Sequence, residues 1–228
     1  MKPKLLDLFC GAGGASMGYY RAGFDVVGID IKPQPRYPFT FIQADALNPP
    51  VDFKAFDAIH ASPPCQAYSV LKTSTNYRGG HPDLVAVTRK LLQSTALPYV
   101  IENVPGSPLV MAITLCGSMF RLGAGDGELR RHRLFESNHV LQSLTCDHRK
   151  RAITVTSKCG GYSKIRPSFP LPARREAMGI DWSSEYELSQ SIPPAYTEFI
   201  GAQLMKVLDA VPHLVHSSPH GTRALPEV

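Results

Sequence analysis

The feature that most constrains this chain lies in its first thirty residues. An apolar run, Lys4 to Phe9 (KLLDLF), leads through Cys10 into Gly11-Ala12-Gly13-Gly14. Ala15 to Ala22 then suits a helix closed by Gly23, and Asp25 to Asp30 (DVVGID) suits a second strand ending in an acid. Strand, glycine turn, helix and strand in that order predict parallel strands in an open α/β sheet. Glycines let a ligand approach the backbone closely, and the helix after them offers free amide groups. An acid at the end of the second strand can accept bonds from ribose hydroxyls, so the unit suits an adenosine-containing cofactor. The spacing is not the dinucleotide GxGxxG.

The alternation continues. Phe39 to Ile42, Phe56 to His60 and Tyr99 to Ile101 read as short strands, and Asp83 to Thr95 as a helix with Leu84, Val87, Leu91 and Leu92 on one side. Gly123 to Gly127 reads as a glycine-rich loop and Arg131 to Glu136 as a strand. Arg174 to Gly179 reads as a short helix, and Ala195 to Val211 as a longer one stopped by Pro212. A chain of 228 residues, 43% hydrophobic and 19% charged, fits one globular unit and excludes a largely disordered one. The expected division is a catalytic domain over 1–136 and 174–211, a small insertion over 137–173, and a flexible tail over 212–228. No apolar run is long enough to span a membrane. An early aspartate argues against a secretory signal, and five cysteines suit free thiols in a reducing, cytoplasmic setting.

The net charge of +5 is unevenly spread. Residues 121–175 hold 12 Lys and Arg against 4 Asp and Glu, while the rest of the chain is slightly acidic. Such asymmetry suits a face for a polyanion, although a solvated basic loop gives the same count.

Two further segments carry chemistry. Ser62-Pro63-Pro64-Cys65-Gln66 follows the strand ending at His60, and its two prolines hold a thiol in a fixed direction. A thiol is the most nucleophilic side chain near neutral pH once deprotonated. Glu102-Asn103-Val104 ends the strand Tyr99 to Ile101, which places a carboxyl group at the same sheet edge. Nucleophile and acid side by side fit covalent catalysis with proton delivery.

Together these segments resemble the DNA cytosine-5 methyltransferase family. Asp7 to Gly14 is similar to its cofactor motif, Pro63-Pro64-Cys65-Gln66 to its nucleophile motif, and Glu102-Asn103-Val104 to the motif supplying a base-contacting carboxyl. Arg131-His132-Arg133 resembles the two-arginine motif, with Leu129 where the family has glutamine. Arg175-Glu176 and Gln190-Ser191-Ile192-Pro193-Pro194 resemble the two later motifs, with Gln190 where asparagine is usual. The resemblance covers about residues 4–136 and 174–211. It implies a Rossmann-like methyltransferase fold and S-adenosyl-L-methionine as methyl donor. Phe9, Gly11, Gly13 and Pro64 would line the donor, Asp30 would hold its ribose, and Asp45 its adenine amino group. Cys65 would add to carbon 6 of a flipped-out cytosine, and Glu102 would protonate or hydrogen-bond ring nitrogen 3 and the amino group. Arg133 would face the base carbonyl. Arg131 would contact phosphate or orient the site.

A thiol cannot reach carbon 6 inside a stacked duplex, so the base must leave the stack. Lys150, Arg151, Lys158, Lys164 and Arg166 are the candidates for gripping DNA phosphate, with Gln66 beside the nucleophile loop. The recognition segment is short for the family, as in bacteriophage members. That implies a degenerate target, or help from an oligomer or accessory partner, in restriction protection, marking or base modification near the nucleoid. Three other readings stay open: the same chemistry on RNA, methylation of an exocyclic amine, and a catalytically silent DNA-binding module. Cys146-x-His148, with Cys159 later, fits no standard zinc spacing, and no metal is expected. Cys10 and Cys116 read as small buried hydrophobes, and Trp182 as a packing residue.

Overall fold

The computed structural model describes residues 1–65, 83–155 and 169–210. Gln66, Lys158, Cys159, Lys164, Arg166 and the expected tail lie outside the described residues.

Among the described residues, ten strands form two sheets, accompanied by five α-helices. The main sheet has the order β3-β2-β1-β4-β5-β9-β6. Its parallel part comprises β1 (Lys4–Leu8), β2 (Asp25–Asp30), β3 (Thr40–Gln43), β4 (Ala58–Ala61) and β5 (Tyr99–Asn103). Strand order reverses between β1 and β4, which is where open α/β sheets place their ligand crevice. Two strands at one edge run the other way: β9 (Arg133–Ser137) pairs antiparallel with β5, and β6 (Ile113–Leu115) with β9. The reversal brings the beginning of β9 to the carboxyl end of β5, with Asn103 opposite Leu134.

Side chains alternate across the sheet, and both faces are covered, as a parallel sheet requires. Leu6, Leu8, Ile29, Ile59 and Ile101 pack on one face with Leu92 of α2 (Val85–Thr95). Leu5, Val26, Ala58, Val100 and Phe135 pack on the other with Tyr19 of α1 (Gly14–Arg21) and Tyr196, Ile200 and Leu204 of α5 (Pro194–Ala210). A Cβ on Gly18 would stand 2.0 Å from Thr197 Oγ1 and 2.1 Å from the Pro194 carbonyl, so α1 and α5 meet there backbone to backbone. Gly18→Ala forces the helices apart. It is expected to lower stability by about 3 kcal/mol, measured by urea denaturation.

The predicted glycine loop at 123–127 is instead a tight hairpin of β7 (Gly123–Ala124) and β8 (Gly127–Leu129). β10 (Arg151–Ile153) adds parallel to β8. A Cβ on Gly127 would meet Ile153 and Phe169 at 2.5–2.6 Å, and one on Gly123 the Gly127 carbonyl at 2.3 Å, so these two glycines serve close packing, while Gly125 takes the left-handed turn position at φ 56°. This small sheet packs on α3 (Leu171–Met178) through Leu129, Ile153, Ala177 and Met178. α4 (Glu185–Gln190) follows, opened by a reciprocal cap between Ser184 and Glu187. Among the described residues no helix is long and apolar enough to cross a membrane.

Candidate active site

The carboxyl ends of β1, β2, β4 and β5 open into one cleft of about 480 Å³. Phe9, Gly11, Asp30, Asp45, Pro64, Cys65, Glu102 and Arg133 all line it, so the sequence-derived donor and base residues converge. Two do not line it. Gly13 is the left-handed cap of α1 with φ 83°, and a Cβ there would press on Tyr37 and Pro38. Arg131 is buried behind the cleft, where its guanidinium donates to the Ser189 carbonyl at 2.7 Å. The Tyr196 hydroxyl donates to the Arg131 carbonyl at 2.6 Å, so this arginine joins β9 to α4 and α5. Burial and the adjacent Arg133 lower its pKa to about 9, which leaves it charged at neutral pH.

The glycine-turn end of the cleft is shaped by backbone. Phe9 has φ 60°, a left-handed conformation uncommon for an aromatic residue and typical of strained functional turns. The Gly11 amide donates to Asp30 Oδ2 at 3.1 Å and the Lys32 amide to Oδ1 at 2.9 Å. The Asp30 carboxylate therefore ties the glycine turn to β2 and keeps lone pairs for a ligand. A Cβ on Gly11 would meet no protein atom within 4 Å. Trp182 packs in the small lobe and donates its indole N–H to the Ala12 carbonyl at 2.8 Å, joining lobe and turn.

The end that holds Cys65, Glu102 and Arg133 is polar and largely buried. Arg133 Nε lies 3.1 Å from Glu102 Oε1. Desolvation raises the Glu102 pKa, opposed by Arg133, a hydrogen bond from Ser62 and Arg131. The Cys65 thiol is half-buried, and its pKa is also raised, first by desolvation and then by Glu102. Arg133 and Arg131 act the other way. Cys65, Glu102 and Arg133 thus form one electrostatic unit. Asn103, in the same motif as Glu102, donates to the Pro63 carbonyl at 2.9 Å and so fixes the Pro-Pro-Cys turn to β5.

Behind this unit, a buried polar row continues from Glu102 to His60 and Asp7, two residues to which the sequence gives no catalytic role. Asp7, His60 and Glu102 lie on the α1 face of adjacent strands, all buried. His60 bridges the Tyr19 hydroxyl at 3.0 Å and the Ser62 hydroxyl at 2.9 Å. Ser16 donates to Asp7 Oδ2. An acid within an apolar strand and a histidine in another were the available signals. Burial lowers the His60 pKa to about 3 and raises that of Asp7 to about 7. The two act on stability with opposite signs. His60 binds more protons unfolded, so its contribution is lost as pH falls from the ordinary 6.5 towards 3. Asp7 binds more protons folded, so its contribution is lost as pH rises from 3.8 to about 7. Asp7→Asn removes only the second effect. Its melting temperature should decline less than that of the parent, or rise more, as pH increases over that window in a thermal denaturation series.

Of the basic candidates, Lys150 and Arg151 are exposed at the start of β10. Glu128 holds that edge: it accepts from Arg130 Nε at 2.7 Å and from the Arg149 and Lys150 amides at 3.1 and 3.0 Å. The Arg151 guanidinium stacks 5.1 Å from the Phe169 ring centre.

Residues 3–107 match the family model for C-5 cytosine-specific DNA methylase. Among solved structures, the chain is similar to an Escherichia coli prophage protein assigned as a DNA modification methyltransferase. The TM-score is 0.60 at 17% identity, over 91% of this chain and 100% of that one. It is similar also to Schizosaccharomyces pombe Dnmt2 methyltransferase, with a TM-score of 0.59 at 13% identity over 92% and 100% of the two chains. The Entamoeba histolytica methyltransferase EhMeth follows at 0.53 and 14%, over 91% and 98%. At these identities the structures establish the fold, a Rossmann-like methyltransferase fold. No curated protein matches the chain.

Proposed function

We propose that this chain, whose residues 3–107 match the family model for C-5 cytosine-specific DNA methylase, is a DNA cytosine-5 methyltransferase acting through a covalent Cys65 adduct. The observation that carries this reading is the buried Glu102–Arg133 pair, held at 3.1 Å in the cleft that also contains Cys65 and the glycine turn. An exocyclic-amine methyltransferase has no use for a thiol beside a carboxyl group with a raised pKa. A silent binding module has no use for either.

The donor end fits S-adenosyl-L-methionine. Gly11 leaves open space where a side chain would stand, and Asp30 and Asp45 put carboxylates on the cleft wall. When bound, that molecule supplies an electrophilic methyl group. Asp30 would accept from its ribose hydroxyls, Asp45 from its adenine amino group, and Phe9 and Pro64 would bound it.

At the other end, the Cys65 thiolate adds to carbon 6 of the cytosine and opens the ring's 5,6 double bond. Glu102 holds a proton at ring nitrogen 3, so the ring becomes a neutral enamine rather than an anion. Arg133, paired to Glu102, faces the base carbonyl. Carbon 5 then accepts the methyl group, loses its proton to solvent, and releases Cys65 by elimination. Arg131 serves as a positioning residue, because its guanidinium is buried and committed to Ser189. Lys150 and Arg151 would contact phosphate, which contributes affinity rather than sequence choice.

The test is nucleoside mass spectrometry after incubating the protein with isotope-labelled donor and either duplex DNA or RNA. Label in 5-methyldeoxycytidine is the expected result. Label in RNA alone, or in an N-methylated base, overturns it.

A further inference from the structure

A second cluster of chemically competent side chains stands outside the cleft. Cys116 follows β6, His132 directly precedes β9, and Cys146 and His148 lie in the irregular segment between β9 and β10. One sulfur or nitrogen atom from each lies within 4.8 Å of all the others. Cys146 Sγ is 2.8 Å from His148 Nε2 and 3.5 Å from His132 Nε2, and Cys116 Sγ is 3.3 Å from His148 Nε2. The two imidazoles stand at 79° to one another with centres 5.2 Å apart. Sequence spacing alone brings only Cys146 and His148 of these four together, and predicts no metal there. Cys116 and His132 are 30 and 14 residues before Cys146. Neither fits a standard zinc spacing, and only the antiparallel β6–β9 pairing brings both to it.

We propose that Cys116, His132, Cys146 and His148 bind one zinc ion as a structural Cys2His2 site. A tetrahedral zinc with sulfur at about 2.3 Å and nitrogen at about 2.0 Å holds its ligand atoms roughly 3.3–3.8 Å apart. Three sulfur–nitrogen separations, 2.8, 3.3 and 3.5 Å, lie at or just below that range, and the other three are within 4.8 Å, so small side-chain rotations close the four atoms around one ion. Two sulfurs and two imidazole nitrogens are a borderline-soft donor set that selects zinc over calcium or magnesium. Two thiolates and two neutral imidazoles also balance the ion's charge. The Ser118 hydroxyl lies 3.5 Å from Cys116 Sγ and 3.4 Å from Cys146 Sγ, placed to donate its one proton to either thiolate.

The local structure gives such a site a purpose. Residues 142–151 are exposed throughout, so no apolar core anchors this stretch. A metal would anchor it to β6 and to the entrance of β9. His132 sits between Arg131 and Arg133, so the same ion would fix the chain that presents Arg133 to Glu102. The proposal rests on this geometry alone and holds whatever the substrate is.

The test uses the untagged full-length protein, purified without chelator and analysed by elemental mass spectrometry. About one zinc per chain is expected, retained in Cys65→Ala and falling below about a tenth in Cys146→Ser/His148→Ala. Should that double variant fail to fold, the parent protein answers alone. Stripped of metal and titrated with cobalt(II), it should develop the visible bands of tetrahedral cobalt with thiolate charge transfer, saturating at one equivalent and bleached by zinc. Metal-free protein with no cobalt spectrum overturns the proposal. So does a Cys116–Cys146 disulfide in the protein purified under reducing conditions, or zinc content unchanged in a folded double variant.

Discussion

Cys65→Ala is expected to lower methyl transfer by about 10⁴-fold or more while leaving donor binding within about twofold. The asymmetry follows from where Cys65 sits. It lies past the end of β4, on a turn whose direction is set by Pro63 and Pro64 and by the Asn103 bond to the Pro63 carbonyl. Asp30 and Gly11, the proposed donor-binding residues, hold each other through their own hydrogen bond, which the thiol does not join. Single-turnover transfer and calorimetric donor titration separate the two. A second readout identifies the thiol's role: with S-adenosyl-L-methionine present, the parent protein should methylate and then trap an oligonucleotide carrying 5-fluorocytosine as a covalent complex stable to denaturant, and the alanine variant should not. The C–F bond blocks the elimination that normally frees Cys65. Transfer at near-parental rate by Cys65→Ala would remove the covalent mechanism and favour the exocyclic-amine reading.

The parallel half of this molecule was legible because its signals are local. Lys4 to Phe9, Asp25 to Asp30 and the glycines between them fall within one or two residues of β1, β2 and the α1 turn. The first three motif positions could be placed on one sheet edge, because parallel strands carry all their carboxyl ends to the same side. Arg133 reached that edge by a different route. β9 runs antiparallel, and nothing in Arg131 to Glu136 states its direction. The small sheet was missed for a similar reason. β7, β8 and β10 are two or three residues long, and β10 pairs with β8 across more than twenty residues of chain. α4 was overlooked although Ser184 and Glu187 are the capping signature, since six residues are too few to show a helical period. The polar row of Asp7, His60 and Glu102 shows the limit most plainly. Each residue broke an apolar strand pattern singly, and only the sheet register made them neighbours.

Glu102→Gln separates the two roles of that carboxyl group. As proton donor to ring nitrogen 3, Glu102 is worth about 10²–10⁴-fold in rate, and the amide cannot supply the proton. As a negative charge, Glu102 raises the Cys65 pKa while Arg133 and Arg131 lower it. Glutamine removes the first function and the charge together, but leaves both arginines in place. Methyl transfer should therefore fall by about 10³-fold, while alkylation of Cys65 by iodoacetamide at neutral pH becomes faster because the thiolate fraction rises. A merely structural loss would slow both reactions or expose the thiol without pH dependence. The pH profiles carry the same sign. Burial raises the Glu102 pKa, so the parental rate should decline on the alkaline side as that carboxyl loses its proton. The glutamine variant, with no such group, should lack that limb and keep only the rise that follows Cys65 ionisation. If alkylation slows in parallel with transfer, Glu102 and Cys65 are not electrostatically coupled, and the paired-residue account of this cleft fails.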